Sequence, residues 1–196
     1  GNALTVSSGA TVRAADSYTQ IGYRDTADNN SLTVEDNGRL VTESLRLGRL
    51  AGSDGNTLTV TGTGSTWSNE SEDIVWIGRA GDNNTLTVAD GAEGYVGDNL
   101  HISLESGQDN ALVVDNGTLT IAGRTFMGYN DAGSDTSGSG SLTLTNGATL
   151  NTELSYGYGW RSASSDTGTV GNSQFDQVIV DGSTWNAMTD ADSDSG

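Results

Sequence analysis

The sequence is unusual first for the residue types that it lacks. Its 196 residues include no cysteine, no proline and no lysine, and only one histidine and two phenylalanines. Without cysteine the chain forms no disulfide, so its fold does not depend on an oxidising compartment. No apolar run approaches the roughly 18 residues of a membrane span, which argues against membrane insertion. No signal peptide precedes the patterned sequence, and we therefore expect a mature product or an excised piece.

Charge of one sign dominates the chain. Twenty-six acidic residues stand against eight basic residues, all of them arginine, and the formal net charge is −18. Such a field repels nucleic acid and anionic membrane surfaces and attracts cations. The charge balance thus predicts no nucleic-acid partner.

Composition alone is typical of a disordered chain, but the arrangement of the residues along the sequence indicates a folded one. Leu, Ile, Val and Phe together make up less than a fifth of the chain, and low hydrophobicity with high net charge is typical of disordered proteins. The apolar residues nevertheless recur in a fixed pattern, which a disordered chain has no reason to keep. We therefore predict an ordered repeat protein.

The pattern is a repeat of 26 to 30 residues. Its motif is Asn-x-Leu-x-Val, with looser copies after residue 139. The motif begins at Asn2, Asn30, Asn56, Asn84 and Asn110. The repeated leucines, including one in a looser copy, are Leu4, Leu32, Leu58, Leu86, Leu112 and Leu142. Repeats of this length are typical of solenoids.

Each repeat continues through a Gly-containing turn, a second short strand, and a third strand that ends in an apolar residue followed by Gly, as in Ile77-Gly78. Apolar residues alternate within strands and never follow helical spacing. Three short strands per repeat describe one triangular coil. We predict an all-β, right-handed parallel β-helix of about seven three-strand coils over residues 1–188, with the leucines stacked inside and 189–196 as an acidic tail or linker.

The motifs also resemble a known group of proteins. Asn56-Thr-Leu-Thr-Val-Thr-Gly-Thr-Gly-Ser-Thr-Trp67, followed by Ile77-Gly78, resembles the repeat shared by type V autotransporter passengers and PEP-CTERM-sorted bacterial proteins. The resemblance covers nearly the whole chain and depends on repeat residues rather than catalytic ones. It implies an exported protein with a β-helical passenger that is displayed on the cell or released from it.

Two polar patterns predict structural roles. The asparagines that open the repeats fall at one corner of successive coils, where stacked amides would hydrogen-bond as a ladder. Four arginines follow the third-strand position, and acidic residues lie just beyond each of them. We expect surface ion pairs there, with capture of an anion or glycan as the alternative. These arginines are Arg24, Arg49, Arg79 and Arg124.

The acidic turns suggest a calcium site. Asp28, Asp54 and Asp82 precede successive Leu-Thr-Val strands, and calcium binds carboxylate and carbonyl oxygens. A solvated acidic face is the alternative. In the C-terminal tail, carboxylates occupy the first, third and fifth positions of a calcium loop, and a flexible linker is the alternative there. The tail residues are Asp190, Asp192 and Asp194. The fold itself requires no cofactor.

The aromatic residues supply the only predicted ligand site. Trp67 and Trp185 share the context Gly-Ser-Thr-Trp, which favours core packing or coil capping. Tyr156, Tyr158 and Trp160 are less periodic and form a candidate platform for glycans.

Catalysis has little support in the sequence. His101 is the sole histidine and lies between alternating apolar residues, so we expect a strand-surface residue rather than a base. The sequence favours a non-catalytic structural or adhesive module, extracellular or on the bacterial cell surface. Its partners would be neighbouring copies, joined head-to-tail as a filament, or surface glycans of a host or neighbouring cell. A polysaccharide-acting β-helix lyase or glycosidase is the alternative.

Overall fold

The described part of the chain is built of β-strands alone. The computed structural model describes residues 1–71, 73–128, 138–153 and 174–188. In these residues no helix is long and apolar enough to cross a membrane. The strands are β1 (Ala3–Val6), β2 (Thr11–Ile21), β3 (Ser31–Val34), β4 (Arg39–Leu47), β5 (Thr57–Thr61), β6 (Thr66–Asn69), β7 (Val75–Ile77), β8 (Thr85–Ala89), β9 (Glu93–Val96), β10 (Leu100–Ile102), β11 (Asn110–Asp115), β12 (Thr118–Ile121), β13 (Thr125–Met127), β14 (Ser139–Thr145), β15 (Thr149–Glu153), β16 (Gln174–Val180) and β17 (Thr184–Met188).

All the strand pairs are parallel, and they define three faces. The first face is a seven-stranded sheet in the order β1-β3-β5-β8-β11-β14-β16. The second face contains the first halves of β2 and β4, followed by β6, β9, β12, β15 and β17. The third face contains the second halves of β2 and β4, followed by β7, β10 and β13. The predicted parallel β-solenoid is therefore confirmed.

The number of coils differs slightly from the prediction. Five turns are described with all three of their faces, and two further turns contribute strands to the first and second faces only. Residues 129–137 and 154–173, which follow β13 and β15, lie outside the described residues. The solenoid thus has about five complete turns, and its first sheet has the seven strands that the repeat predicts.

The leucine column forms as predicted, except at its first member. Leu32, Leu58, Leu86, Leu112 and Leu142 are in register and at most 5% exposed. Leu4 is in register with Leu32 but is 53% exposed, so the prediction that it is buried is wrong. A residue in a solenoid is buried by the coils on both sides of it. In this structure β1, which carries Leu4, has a partner strand on one side only.

The two tryptophans with shared context pack as the sequence predicts. Trp67 is 1% exposed, and its indole N–H donates to Thr42 Oγ1 at 3.1 Å. The register places Trp67 beside Gly94 on the next coil, where a Cβ would come within 3.0 Å of Leu119. The missing side chain at Gly94 therefore makes room for Leu119 of the following coil, whereas a Cβ there would lie at an ordinary contact distance of 3.6 Å from the Trp67 ring. Trp185 packs against the edge of the same core.

The turns explain the frequent Asn, Asp and Gly residues. Asn37, Asp90, Asn116 and Asn146 all have φ between 51° and 60°, the left-handed region that Asn and Asp tolerate better than other side chains. These residues occupy equivalent turns between the first and second faces. The turn chemistry thus sets where each coil changes direction.

Candidate functional site

An asparagine ladder follows one corner of the solenoid, as predicted. The side-chain oxygen of Asn84 accepts hydrogen bonds from both the backbone N–H and the side-chain amide of Asn56, at 2.9 and 3.0 Å. Asn110 accepts the same pair from Asn84, at 2.8 and 3.1 Å. The ladder begins at Asn2 and Asn30. Asn56, Asn84 and Asn110 are completely buried, and a buried amide left without these partners would be costly. The ladder is therefore structural.

The ladder accounts for the glycine that ends the third strand in three coils. A Cβ built on Gly22, Gly48 or Gly78 would lie within 3.0 Å of the side-chain amide of Asn56, Asn84 or Asn110, respectively. These glycines also have φ between 66° and 73°. The apolar-Gly and Asn-x-Leu-x-Val motifs are thus two halves of one contact.

One coil exchanges the two members of this contact. Ser103 takes the glycine position with φ 58°, and Gly140 takes the asparagine position in register with Asn110. A Cβ on Gly140 would come 3.1 Å from Ser103 Oγ. Ser103 Oγ also accepts a hydrogen bond from the Asn110 amide at 3.0 Å. A side chain on the third strand is therefore accommodated where the opposing asparagine is missing.

The acidic turns form a second ladder. Asp28 Oδ1 accepts the backbone N–H of Asp54 at 3.1 Å, and Asp54 Oδ1 accepts that of Asp82 at 2.8 Å. Asp82 Oδ1 in turn accepts the backbone N–H of Gln108 at 2.8 Å. One oxygen of each carboxylate is thus engaged by the next coil. The described residues contain no group of three or more His, Cys, Asp or Glu residues placed to hold a metal ion.

Because backbone N–H groups already stabilise these carboxylates, we expect a chelator to leave the thermal melting temperature of the chain unchanged. Differential scanning calorimetry with and without EDTA tests this expectation. A chelator-induced decrease that millimolar calcium restores would show instead that cations bind to the folded chain and stabilise it by mass action. Matched titrations with magnesium would then distinguish a calcium site from general screening of the acidic surface.

The third face carries a row of stacked cationic and aromatic side chains. The guanidinium carbon of Arg46 lies 3.6 Å from the ring centroid of Tyr18 in the preceding coil and 4.5 Å from that of Trp76 in the following coil. Arg79 lies 4.8 Å from the Trp76 ring. Cation–π contacts at these distances are favourable, and planar guanidinium groups stack well on rings. Along the solenoid axis Arg46 therefore lies between the rings of Tyr18 and Trp76, and Arg79, in the same coil as Trp76, contacts that second ring.

A second, shorter row lies beside the first. The guanidinium carbons of Arg24 and Arg49 lie 5.8 and 5.0 Å from the ring centroid of Tyr23. We call the two rows together the Arg–aromatic strip, comprising Tyr18, Tyr23, Arg24, Arg46, Arg49, Trp76 and Arg79. It concentrates four of the eight arginines of an acidic chain on one side of the solenoid.

The strip corrects the prediction of regular surface ion pairs. Among the described residues, Arg24 and Arg49 form no ion pair, and Arg79 pairs with Glu105 rather than with Asp82. The sequence contained a usable signal for part of this arrangement. The residue just before the buried apolar residue of each apolar-Gly motif points outward by alternation, and it is Arg46 in one coil and Trp76 in the next.

His101 continues the outward row beyond Trp76. It pairs in register with Trp76 on one side and Phe126 on the other, and its ring centroid lies 4.6 Å from that of Phe126. The neighbours leave it only 6% exposed. The predicted strand position is correct, but the side chain is covered by the stack instead of lying open at the surface.

The second face carries a shallow groove of about 350 Å³. Hydroxyl groups, the exposed ring of Tyr95, Arg39 and Glu93 contribute to its lining. Glycoside hydrolysis by the common mechanism needs two carboxyl groups flanking the scissile bond. Glu93 is the one carboxylate in the described lining of this groove.

Two predicted sites cannot be placed. The aromatic platform of Tyr156, Tyr158 and Trp160 falls in residues 154–173, and the tail carboxylates Asp190, Asp192 and Asp194 fall in 189–196. Both segments lie outside the described residues. These candidate sites, and the division of the chain at residue 188, stay predictions from the sequence.

The comparisons with known proteins assign the chain to no family. No family model matches it, no curated protein matches it, and no solved structure matches it.

Proposed function

We propose that this chain is a non-catalytic structural or adhesive β-solenoid module of a secreted bacterial surface protein or fibre. The observation that supports the proposal is the way in which polar side chains are used. The asparagines and the turn aspartates bond along the axis from coil to coil, and the arginines of the third face stack in the same direction. Such ladders stabilise a rod, whereas catalysis needs groups that converge on one point.

A polysaccharide-acting enzyme is the alternative function. The groove of the second face contains Arg39 and Glu93. Its described lining does not contain the second carboxylate that glycoside hydrolysis would need. A β-solenoid fold does not by itself decide between the two functions. Export to the cell surface is part of the proposal because of the resemblance of the repeat motifs.

The ends of the described solenoid support an assembly role. At one end, Leu4 is 53% exposed, and β1 has a partner strand on one side only. At the last described strand of the first face, Val178 and Val180 are 39% and 46% exposed. Open strand edges with apolar side chains favour pairing with further strands. We propose that these ends are covered by further coils of a longer polypeptide or by other copies joined head-to-tail, a heterologous contact that propagates.

Head-to-tail association predicts that the weight-average mass of the chain rises with protein concentration. Leu4→Arg should shift the association to a concentration at least about tenfold higher, because an unpaired guanidinium would enter an apolar contact. Thr87→Arg, on the outer surface of the middle strand β8, is the matched control and should leave association unchanged. Sedimentation equilibrium over a concentration series measures both effects.

A monodisperse monomer at every concentration would contradict assembly through these ends. So would equal effects of Leu4→Arg and Thr87→Arg, since that result would locate the contact on the side of the rod or attribute it to net charge.

A further inference from the structure

The Arg–aromatic strip contains guanidinium groups that lack an anionic partner in a protein rich in carboxylates. Arg24, Arg46 and Arg49 form no ion pair and donate no side-chain hydrogen bond within the described part of the chain, and Nε of Arg46 and of Arg49 is buried without a partner. By contrast, Arg13 and Arg39, on the second face, both pair with Glu70. Of the described arginines named here, those without an ion pair all lie in the strip.

Each of these guanidinium groups lies against an aromatic ring. Arg46 lies between Tyr18 and Trp76, and Arg24 and Arg49 lie against Tyr23. The N–H donors of a guanidinium lie in its plane, and they form paired hydrogen bonds with carboxylates. Arg24 is exposed and Arg46 and Arg49 are half-buried, so an anion can approach them from outside. The strip thus holds prearranged donors for carboxylate groups.

The spacing of the strip fits a linear ligand. Its members lie on three consecutive coils, which are separated by the roughly 4.8 Å between neighbouring strands. Arg24 lies on the first of these coils, and Arg46 and Arg49 lie together on the second. Tyr18 and Tyr23 are 49% and 40% exposed, and they add apolar ring surface beside the donors. A sugar polymer presents both an apolar C–H surface and, in uronic acids, a carboxylate on each residue.

A second copy of the chain is a poorer occupant of the strip. The repeated carboxylates of a second copy are engaged already. Asp54 and Asp82 accept backbone N–H groups, while Asp36 and Asp90 accept hydroxyl groups.

We propose that the Arg–aromatic strip binds a linear uronic-acid polysaccharide along the solenoid axis, with Arg24, Arg46 and Arg49 pairing with its carboxylates. This inference deepens the proposed adhesive function and rests on it.

Isothermal titration calorimetry of the full chain with polygalacturonate, at low ionic strength, tests the proposal. The wild-type chain should bind polygalacturonate and not neutral dextran, and added salt should weaken the binding. The double variant Arg24→Gln/Arg49→Gln should lower the affinity about tenfold or more, since it removes charge-assisted hydrogen bonds. The variant Arg24→Gln/Arg49→Lys should recover only part of this loss, because an ammonium group cannot form paired in-plane hydrogen bonds.

Arg13→Gln removes one exposed positive charge from the second face, and it is the matched control for Arg49→Gln, which removes one from the strip. Its affinity should change by less than about twofold. Circular dichroism spectra of all variants establish that each one is folded. Equal losses in Arg13→Gln and the double variant, wild-type affinity in the double variant, or failure of the wild-type chain to bind would each overturn the proposal. Equally tight binding of poly-glutamate would also overturn it, in favour of an acidic protein partner.

The same samples distinguish a failure of the strip proposal from a failure of the proposed non-catalytic function. Binding without release of reducing ends or unsaturated products supports both proposals. Product release that persists in Arg24→Gln/Arg49→Gln would contradict the non-catalytic function and locate the chemistry elsewhere. The affinities measured with the same variants would still decide whether the strip binds the polymer.

Discussion

Replacing Leu86 with aspartate is expected to unfold the middle of the solenoid. Leu86 is completely buried on β8, in register with Leu58 and Leu112. Truncating a buried leucine costs about 2–5 kcal/mol, and an unpaired carboxylate in an apolar column adds a further penalty. Because each coil is stabilised chiefly by its neighbours, loss of this contact separates the two halves of the rod.

Thr87→Asp is the control for this experiment. Thr87 is the next residue on the same strand, and it lies on the outer side. Its replacement introduces the same charge outside the core and should cost less than about 1 kcal/mol. Thermal unfolding followed by far-ultraviolet circular dichroism compares the variants. Equal melting temperatures for Leu86→Asp and the wild type would contradict the buried leucine column.

Replacing Gly78 with alanine should produce the second large effect. The left-handed backbone at φ 66° costs an alanine about 1–2 kcal/mol. The new Cβ would also lie well inside 3.0 Å of the Asn110 amide, which forces the ladder apart. We expect a total loss above about 3 kcal/mol in the free energy of unfolding, measured by urea denaturation.

Gly147→Ala separates the cost of the left-handed backbone from the cost of the close approach to a neighbouring side chain. Gly147 has φ 81°, but no atom lies within 4 Å of the position that its Cβ would take. Its replacement should therefore cost only the backbone term, about 1–2 kcal/mol. Equal losses at Gly78 and Gly147 would contradict a role for the close approach to Asn110.

The exchange seen at Ser103 and Gly140 suggests a second substitution that should restore part of the stability lost in Gly78→Ser. Gly78→Ser should destabilise strongly by itself, and Asn110→Gly should destabilise through loss of ladder hydrogen bonds. The double variant reproduces the arrangement of the exchanged coil. It should be more stable than the sum of the single effects predicts, by more than about 1 kcal/mol. Additive effects would show that the two positions do not interact.

The repeat made most of the fold predictable. An inward residue in a solenoid has its equivalents in the neighbouring coils as partners, so a column of leucines or asparagines is visible as a recurrence every 26 to 30 residues. The leucine column, the asparagine ladder and the packing of Trp67 could be predicted for this reason. The exposure of Leu4 could not, because recurrence does not show which coil lacks a neighbour.

The sequence predicted the candidate sites less well than the fold. The arginines were recognised as periodic, and nearby aspartates were taken as their partners because they are close in sequence. In the structure, Arg46 contacts Tyr18 and Trp76, each about one coil away along the chain. Trp76 occupies the same repeat position as Arg46, but Tyr18 follows no repeat motif, and the partner of an outward side chain depends on the register of adjacent strands.

The sequence by itself therefore determined that this chain is a parallel β-solenoid and which residues form its inner columns and its asparagine ladder. These features follow from alternation within strands and repetition between coils. Only the tertiary structure decided that the turn aspartates bind backbone N–H groups and that the arginines of the third face stack on rings. Those contacts depend on which outward residues lie opposite each other in successive coils. The strand register sets this, including the register shift within β2, and a repeat length does not specify it.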